Sequence, residues 1–392
     1  MTSTAASPTM PDSTGPGTTA RTEGPDRPHL RYLDGLRGVA ILAVLMVHSG
    51  QLIPGLSQPV RDLTFYGVRG VQLFFIVSGL TLTINYASRP FHVVNFAARR
   101  YFRIAPMFYF GIILYLLLSR LTTLSLPTDS ASTIDVIATV LFVHGWLPSA
   151  INTVVPGGWS IAAEAMFYVV FPLLLRAVRH PRRMLAILLG GYILAGIANL
   201  TLSRLLGSTP GGIEFARQFW LVHAPAFIGG CWLATLPSPT GRWRSFARIA
   251  LPLSILGLLV DSQLRGHSNV LVAIALLTLF VWSAGAMRPR LLEGRLLPLI
   301  GEISFSLYIL QFAILGALHP LATMTEAAFG PIPALAIIYL AALLVTGAAS
   351  WLTWRWIEKP AIRSTRRIGL PDEPRRLPRR AGQNDFDRGY RS

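Results

Sequence analysis

The segment 31–48, RYLDGLRGVAILAVLMVH, places an acid, two arginines and a histidine around a run of apolar residues. Arg37 and His48 are 11 residues apart, so on a helix they lie about 20° from one common face and about 16 Å apart along the axis. Asp34 falls within about 40° of that face. Because histidine titrates near neutrality, this stripe suits proton transfer. A histidine bonded to a neighbouring helix, above an arginine that anchors the helix end, gives the same pattern.

A second ionisable residue stands in GGWSIAAEAMFY, residues 157–168, where Glu164 follows Trp159 and Ser160 and precedes Tyr168. A carboxylate inside an apolar helix must pair, take up a proton or face a polar cavity. We therefore predict a functional role for Glu164, with Tyr168 lining the same cavity.

Two arginines in RRYFRIAPMF, Arg100 and Arg103, are three residues apart and share a helix face. Paired guanidinium groups bind phosphate through bidentate contacts, although arginines at a cytoplasmic boundary also occur simply as determinants of topology. Two weaker signals are Ser78 in FFIVSGLTL, and Tyr308 with Gln311 in SFSLYILQF. Helix packing accounts for these as well as function does.

The composition indicates a membrane protein. Of 392 residues, 52% are hydrophobic and 14% are charged, and the mean hydropathy is +0.50. Several apolar runs approach the length of about 20 residues that a transmembrane helix needs. The net charge of +17 comes from arginine clusters between these runs, as in cytoplasmic loops, so nucleic-acid binding is not expected. The single cysteine excludes an internal disulfide and a thiolate metal cluster.

The predicted fold is an all-α, polytopic transmembrane helix bundle, residues 29–363, between disordered tails 1–28 and 364–392. The arginine clusters lie on one face only if the segment 134–150 is re-entrant, which leaves ten full spans and both termini cytoplasmic. The candidate segments are 33–53, 66–86, 104–121, 134–150, 160–178, 184–205, 217–236, 248–264, 269–287, 297–318 and 332–356.

Together these motifs resemble the membrane-bound acyltransferase family 3, whose members O-acylate polysaccharides, lipopolysaccharides, nodulation factors and macrolides. The resemblance covers about residues 30–360. It consists of an arginine and a histidine separated by ten residues (Arg37 and His48), FFIVSG, the basic RYFRIAP motif and WSIAAEAMFY, in that order. Two positions depart from it, since many members have a second glutamate where Ala165 stands and a histidine where Gln311 stands.

The resemblance implies acyl-CoA as the donor and a hydroxyl group as the acceptor, without a permanently bound cofactor or a metal. His48 is then the catalytic base. Asp34 or Glu164 orients its imidazole, and Arg37 faces the oxyanion or the donor. Arg100, Arg103 and Ser78 bind the CoA. The predicted substrate pocket is formed by Trp159, Ser160, Tyr168, Tyr308 and Gln311.

Two functions compete at this point. The preferred one is an acyltransferase in the plasma membrane, acting on a cell-envelope glycan or a macrolide-type metabolite. The arginine-rich composition and the expected lack of a fused hydrolase-like domain slightly favour the macrolide. The alternative is a membrane carrier of an acyl group or glycoconjugate without chemistry of its own, but a carrier usually has an inverted repeat, and the sequence contains no evident repeat.

Overall fold

The described residues of the computed structural model form helices and turns without a strand. The description covers residues 30–88, 90–121, 127–237, 239–264 and 269–367. Within these ranges the predicted all-α fold is confirmed. The tail predicted at 1–28 lies outside the described residues, as does 368–392.

Sixteen helices follow one another along the described chain. The first eight are α1 (Arg31–Gly50), α2 (Gln58–Phe65), α3 (Gly70–Tyr86), α4 (Val93–Leu121), α5 (Thr133–Val140), α6 (Gly158–Ala177), α7 (Pro181–Leu206) and α8 (Pro210–Gln218). The second eight are α9 (Trp220–Leu233), α10 (Gly241–Leu264), α11 (Val270–Met287), α12 (Arg290–Glu293), α13 (Leu296–Glu302), α14 (Ser304–Phe329), α15 (Pro331–Thr353) and α16 (Lys359–Arg367). A π-helical turn, Trp354–Glu358, joins α15 to α16.

Nine helices in the described part of the chain are long and apolar enough to cross a membrane. They are α1, α2 continued into α3, α4, α6, α7, α10, α11, α14 and α15 continued into α16. Long apolar helices of this kind are the structures that satisfy every backbone hydrogen bond inside lipid. The predicted membrane bundle therefore agrees with the structure in its main elements.

Two of the eleven predicted segments are not long helices. The segment 134–150 contains α5, whose eight residues span about 12 Å, and one 3₁₀ turn, His144–Trp146. The segment 217–236 contains α9, whose 14 residues span about 21 Å, less than the roughly 30 Å of a bilayer core. Extended backbone at Phe219, with ψ of 129°, separates α8 from α9. The count of ten spans and the cytoplasmic termini stay predictions.

Residues 364–367, which the sequence assigns to the predicted carboxy-terminal tail, belong to α16 in the structure. Serine, threonine and arginine carry no apolar signal, so hydropathy does not mark these residues as helical.

Helix α1 lies at the centre of the bundle and packs against α3, α12, α13, α14 and α15. Its approach to α12 and α13 depends on glycine. A Cβ atom added to Gly35 would lie 2.1 Å from the carbonyl oxygen of Leu292, and one added to Gly301 would lie 1.9 Å from that of Asp34. Backbone-to-backbone contact of this kind fixes the rotation of α1, and so the direction in which its polar stripe points.

The other end of α1 is held by an apolar cluster that it shares with α14 and α15. Its buried members are Leu45, Ile53, Leu56, Leu315, Ala322, Ala334, Ile338 and Ala342. The alanines allow the helices to approach closely, and the larger residues fill the space between them.

We predict that Gly35→Ala lowers the apparent melting temperature of the detergent-solubilised protein. The added methyl group has no space beside Leu292, and overpacking of this kind costs about 1–3 kcal/mol. Gly190→Ala in α7 is the matched control, because no neighbouring atom lies within 4 Å of the added Cβ. Equal melting curves for the two variants would show that the close approach of α1 to α12 is not needed for stability.

Candidate active site

At the amino-terminal end of α1, Arg37 is held by two partners. Its Nη1 lies 2.6 Å from Oδ1 of Asp34, one turn earlier, and its Nη2 donates to the hydroxyl of Thr81 on α3 at 2.9 Å. The side chains of Arg37 and Asp34 are 23% and 14% exposed. The charges of the stripe are therefore paired with each other, and α3 fixes the direction of the guanidinium group.

One turn away on the same face of α3, Ser78 reaches the carboxylate of Glu164. Oε1 of Glu164 accepts from the Ser78 hydroxyl at 3.0 Å and from the Tyr168 hydroxyl at 2.6 Å. The guanidinium carbon of Arg100 stands 5.8 Å from the centre of the Tyr168 ring, within cation–π range. The structure thus joins Ser78, Glu164, Tyr168 and Arg100, which the sequence places on three separate helices.

Arg100 remains available for a ligand. Its Nε is buried and has no hydrogen-bond partner among the described residues. A buried guanidinium donor without a partner is costly, so this position suits a group that brings its own acceptor oxygens. We call Arg37, Ser78, Thr81, Glu164, Tyr168 and Arg100 the α3 cluster.

Arg103 is bound differently from Arg100. Its Nη1 lies 3.4 Å from Oε2 of Glu358, a residue of the π-helical turn, whose other oxygen accepts from Ser306. The side chain of Glu358 is 0% exposed and that of Arg103 is 33% exposed. Sequence reasoning missed Glu358 because it lies two residues beyond the predicted span 332–356. The sequence signal that could have identified Glu358 is a carboxylate placed directly after an apolar run.

At the other end of α1, Nδ1 of His48 faces Oε1 of Gln51 at 3.0 Å. If the amide oxygen of Gln51 accepts from Nδ1, that nitrogen carries the proton and Nε2 has the free lone pair. The sequence predicts that Asp34 or Glu164 orients this imidazole. In the structure Gln51 faces Nδ1, while Asp34 is bonded to Arg37 and Glu164 to Ser78 and Tyr168. Gln51 was missed because it follows the apolar run, where a polar residue is ordinary.

The ring of Phe312 joins His48 to the start of α6. The two ring centres of His48 and Phe312 are 4.3 Å apart. A Cβ atom added to Gly157 would lie 3.2 Å from Cε2 of the same phenylalanine. His48 is therefore close to the turn that precedes α6, although it is about 16 Å along α1 from Arg37.

That turn is fixed by hydrogen bonds on both sides of Gly157, whose φ of 80° is the left-handed conformation that glycine adopts most easily. Its N–H donates to Oδ1 of Asn152 at 2.6 Å, and its carbonyl accepts from the Tyr308 hydroxyl at 2.9 Å. The Ser160 hydroxyl lies 3.0 Å from the Tyr308 oxygen. The predicted pocket residues Ser160 and Tyr308 are therefore in contact, and both hold this turn.

His144, a residue of the segment 134–150, supports the same turn. Its Nε2 lies 3.0 Å from the carbonyl oxygen of Gly158, and its ring stacks on Phe108 with centres 5.7 Å apart. Burial lowers the pKa of His144, and the bond to Gly158 offsets part of that effect. His144 was not predicted, since its segment shows no motif.

Of the other three predicted pocket residues, Tyr168 belongs to the α3 cluster. Gln311 is fully buried, its Nε2 donates to the carbonyl of Tyr308 on the same helix at 3.2 Å, and its Oε1 has no partner among the described residues. The ring of Trp159 lies 4.9 Å from His223 and 6.2 Å from Phe75, so Trp159 faces α9 and α3.

The predicted residues therefore form two groups. Arg37, Glu164 and Arg100 belong to the α3 cluster, whereas His48 belongs with Phe312 and the Gly157 turn. Helix α6 connects the groups, because Ser160 and Glu164 are four residues, or about 6 Å, apart on it. Guanidinium groups suit an anionic ligand and an imidazole can take up a proton, so the two groups together suit group transfer from an anionic substrate. No group of three metal-ligating side chains occurs among the described residues.

Comparison with known proteins identifies the class. The family model described as an acyltransferase domain matches residues 30–351. The O-acetyltransferase OatA of Staphylococcus aureus is 23% identical over 368 residues, which cover 85% of this chain and 57% of that protein. The peptidoglycan O-acetyltransferase OatA of Listeria monocytogenes is 23% identical over 380 residues, 87% of this chain and 57% of the relative. No solved structure matches.

The helix bundle and the extent of the match define an acyltransferase domain built from membrane helices. The chain belongs to acyltransferase family 3, as its motifs predicted. It spans just over half the length of the curated relatives it matches.

We predict that Glu358→Ala destabilises the protein by about 1–3 kcal/mol, because Arg103 and Ser306 lose a buried partner. Unfolding of the purified protein in denaturant measures the change. Glu302→Ala, which removes an exposed acid at the end of α13, is the control and should have little effect.

The double variant Arg103→Ala with Glu358→Ala should lose less stability than the sum of the two single variants, since no unpaired charge remains. Strict additivity would contradict the pairing.

Proposed function

We propose that this protein is an integral-membrane O-acyltransferase. It moves an acetyl or other short acyl group from acyl-CoA to a hydroxyl group of a carbohydrate-containing acceptor. The observation that carries this proposal is the 3.0 Å contact between Nδ1 of His48 and Oε1 of Gln51, which suits a ring whose Nε2 serves as the base. The family and the O-acetyltransferase names of the relatives support the same reaction.

The α3 cluster is the proposed donor site. Arg100, with a buried donor that lacks a partner, contacts the CoA phosphates, and Arg37 faces them from α1. A guanidinium group forms two parallel hydrogen bonds to a phosphate, which a lysine cannot reproduce. The extended pantetheine arm of CoA separates its phosphates from its sulfur. This separation suits a site in which Arg37 and His48 lie about 16 Å apart along α1.

In this reaction Arg37 acts on the donor and not on the oxyanion. Its guanidinium group is bonded to Asp34 and Thr81 at the end of α1 remote from His48. Of the two roles that the sequence left open for Arg37, the geometry therefore favours donor binding.

The transfer step follows from the position of His48. Its Nε2 removes the proton of the acceptor hydroxyl as that oxygen attacks the thioester carbonyl carbon. The new carbon–oxygen bond forms, the tetrahedral intermediate collapses, and the carbon–sulfur bond breaks. The departing thiolate takes the proton from the imidazolium ion, which leaves an ester, free CoA and a neutral His48.

The proposed acceptor is a cell-envelope glycan. The Listeria relative is named for O-acetylation of peptidoglycan, and a hydroxyl group of a sugar is the corresponding acceptor here. A macrolide glycoside presents the same chemistry and belongs in the panel of substrates. The plasma membrane is the proposed location, since both substrates are within reach there.

We predict that His48→Ala lowers kcat for acyl transfer by about 10²–10⁴-fold, the usual contribution of a general base. The measurement is CoA release from acetyl-CoA. The protein is held in nanodiscs and is given a panel of glycan oligosaccharides and macrolide glycosides. His319→Ala, an exposed histidine on α14, is the control and should keep the wild-type rate. A wild-type rate in His48→Ala would contradict the mechanism. Translocation of the acceptor without ester formation would favour a carrier.

We predict that Arg100→Ala raises KM for acetyl-CoA by about 10–100-fold, the value of one lost charge-assisted hydrogen bond, with a smaller change in kcat. Arg99→Ala is the matched control, since Arg99 is the adjacent arginine of α4 and points about 100° away on the helix. If both variants keep the wild-type KM for the donor, the α3 cluster does not bind CoA.

A further inference from the structure

Three aromatic rings gather on the surface beside α6. The ring of Trp146 lies 5.6 Å from that of Phe219 and 5.8 Å from that of Trp220. Trp146 is 49% exposed, and its Nε1 donates to the sulfur of Met166 at 3.2 Å. The bond to Met166 thus holds the Nε1 edge of the indole, while about half of the Trp146 side chain stays exposed.

A polar network runs alongside these rings. Oε1 of Glu214 accepts from Nδ2 of Asn152 at 3.0 Å and from Nε2 of Gln218 at 3.1 Å. Oε1 of Gln218 and Nε1 of Trp220 are buried without a hydrogen-bond partner among the described residues. One acceptor and one donor therefore remain to be satisfied beside an exposed carboxylate. We call Trp146, Asn152, Glu214, Gln218 and Trp220 the Trp146–Glu214 surface.

This surface is linked to His48 by direct contacts. Asn152, which donates to Glu214, also accepts from the N–H of Gly157 at 2.6 Å. The added Cβ at Gly157 would touch Phe312, whose ring faces His48. Asn152 and Glu214 therefore lie at the His48 end of α6, whereas Trp146 reaches Met166, about 12 Å along that helix from Gly158.

Aromatic rings combined with planar hydrogen-bonding side chains are the chemistry that recognises a sugar. The C–H face of a pyranose carries partial positive charge and packs on the negative face of an indole. Its hydroxyl groups both donate and accept, so they can bond to the exposed carboxylate of Glu214 and to the amide of Gln218. An acyl chain offers no hydrogen bond to that carboxylate, so it does not fit this surface.

We infer that the Trp146–Glu214 surface binds a sugar residue of the acceptor, next to the residue whose hydroxyl reaches His48. This inference rests on the proposed function, because it assigns the carbohydrate of that reaction to a place. Trp146 supplies the stacking face, and Glu214 with Gln218 supplies the hydrogen bonds.

The test uses a soluble tetrasaccharide of alternating N-acetylglucosamine and N-acetylmuramic acid and the full chain in nanodiscs. Saturation-transfer NMR gives its Kd, and CoA release gives KM for tetrasaccharide and for acetyl-CoA. Trp146→Ala and Glu214→Ala should each raise Kd and the tetrasaccharide KM about tenfold or more, with an unchanged KM for acetyl-CoA. Glu214→Gln, which keeps an acceptor oxygen, should recover most of the affinity.

Trp243→Ala is the matched control, because Trp243 is 54% exposed at the start of α10. If Trp146 only anchors the protein at a lipid surface, its replacement will behave like that control and leave both tetrasaccharide constants unchanged. That result overturns the inference while acetyl transfer by the wild type still supports the proposed function.

A wild-type protein that neither binds nor acetylates the tetrasaccharide overturns the inference and the choice of a cell-envelope glycan together. Wild-type binding that Trp146→Ala and Glu214→Ala abolish, without any turnover, supports the sugar site and contradicts only the assigned chemistry.

Discussion

The cost of placing polar side chains among apolar helices governs this molecule. A charge or hydrogen-bonding group in such surroundings must find a partner, and here several of the partners lie on other helices. Arg37 is bonded within α1 and to α3, Glu164 to α3, and Arg103 to the π-helical turn. These bonds align helices that apolar packing alone would allow to rotate, because lipid tails are as apolar as the side chains. The same groups that carry the chemistry therefore also specify how the helices assemble.

Much of this arrangement was accessible from the sequence. Long apolar runs identified most spanning helices, since each must be long enough for a bilayer. Helical spacing placed Asp34 and Arg37 together, and the ionisable character of Glu164 marked it for a partner. The exceptions are informative. Helix α9 begins only at Trp220 because extended backbone at Phe219 separates it from α8, which hydropathy does not detect. The residues of α16 are polar and carry no apolar signal, so its extension to Arg367 is not predicted by hydropathy.

The partners of the predicted residues were less accessible than the residues themselves. Gln51, Phe312 and Glu358 are ordinary by composition. Gln51 follows His48 by three residues, just beyond the end of α1, whereas Phe312 and Glu358 reach His48 and Arg103 only because helices distant in sequence cross. A sequence read one helix at a time identifies a base or a cation. It does not identify the acceptor atom that holds each in place, because that atom belongs to another turn or helix. For this reason a carboxylate was expected beside His48 where the structure has an amide.

The π-helical turn at Trp354–Glu358 has a geometric consequence for the last long helix. A π turn amounts to one extra residue in an α-helix, which rotates everything beyond it by about 100°. The buried side of α15 and the buried side of α16 therefore need not lie on one continuous helix face. Trp356 is 72% exposed while Glu358, two residues later, is buried. A lipid-facing helix can thus deliver one carboxylate inward without exchanging its outer apolar face for a polar one.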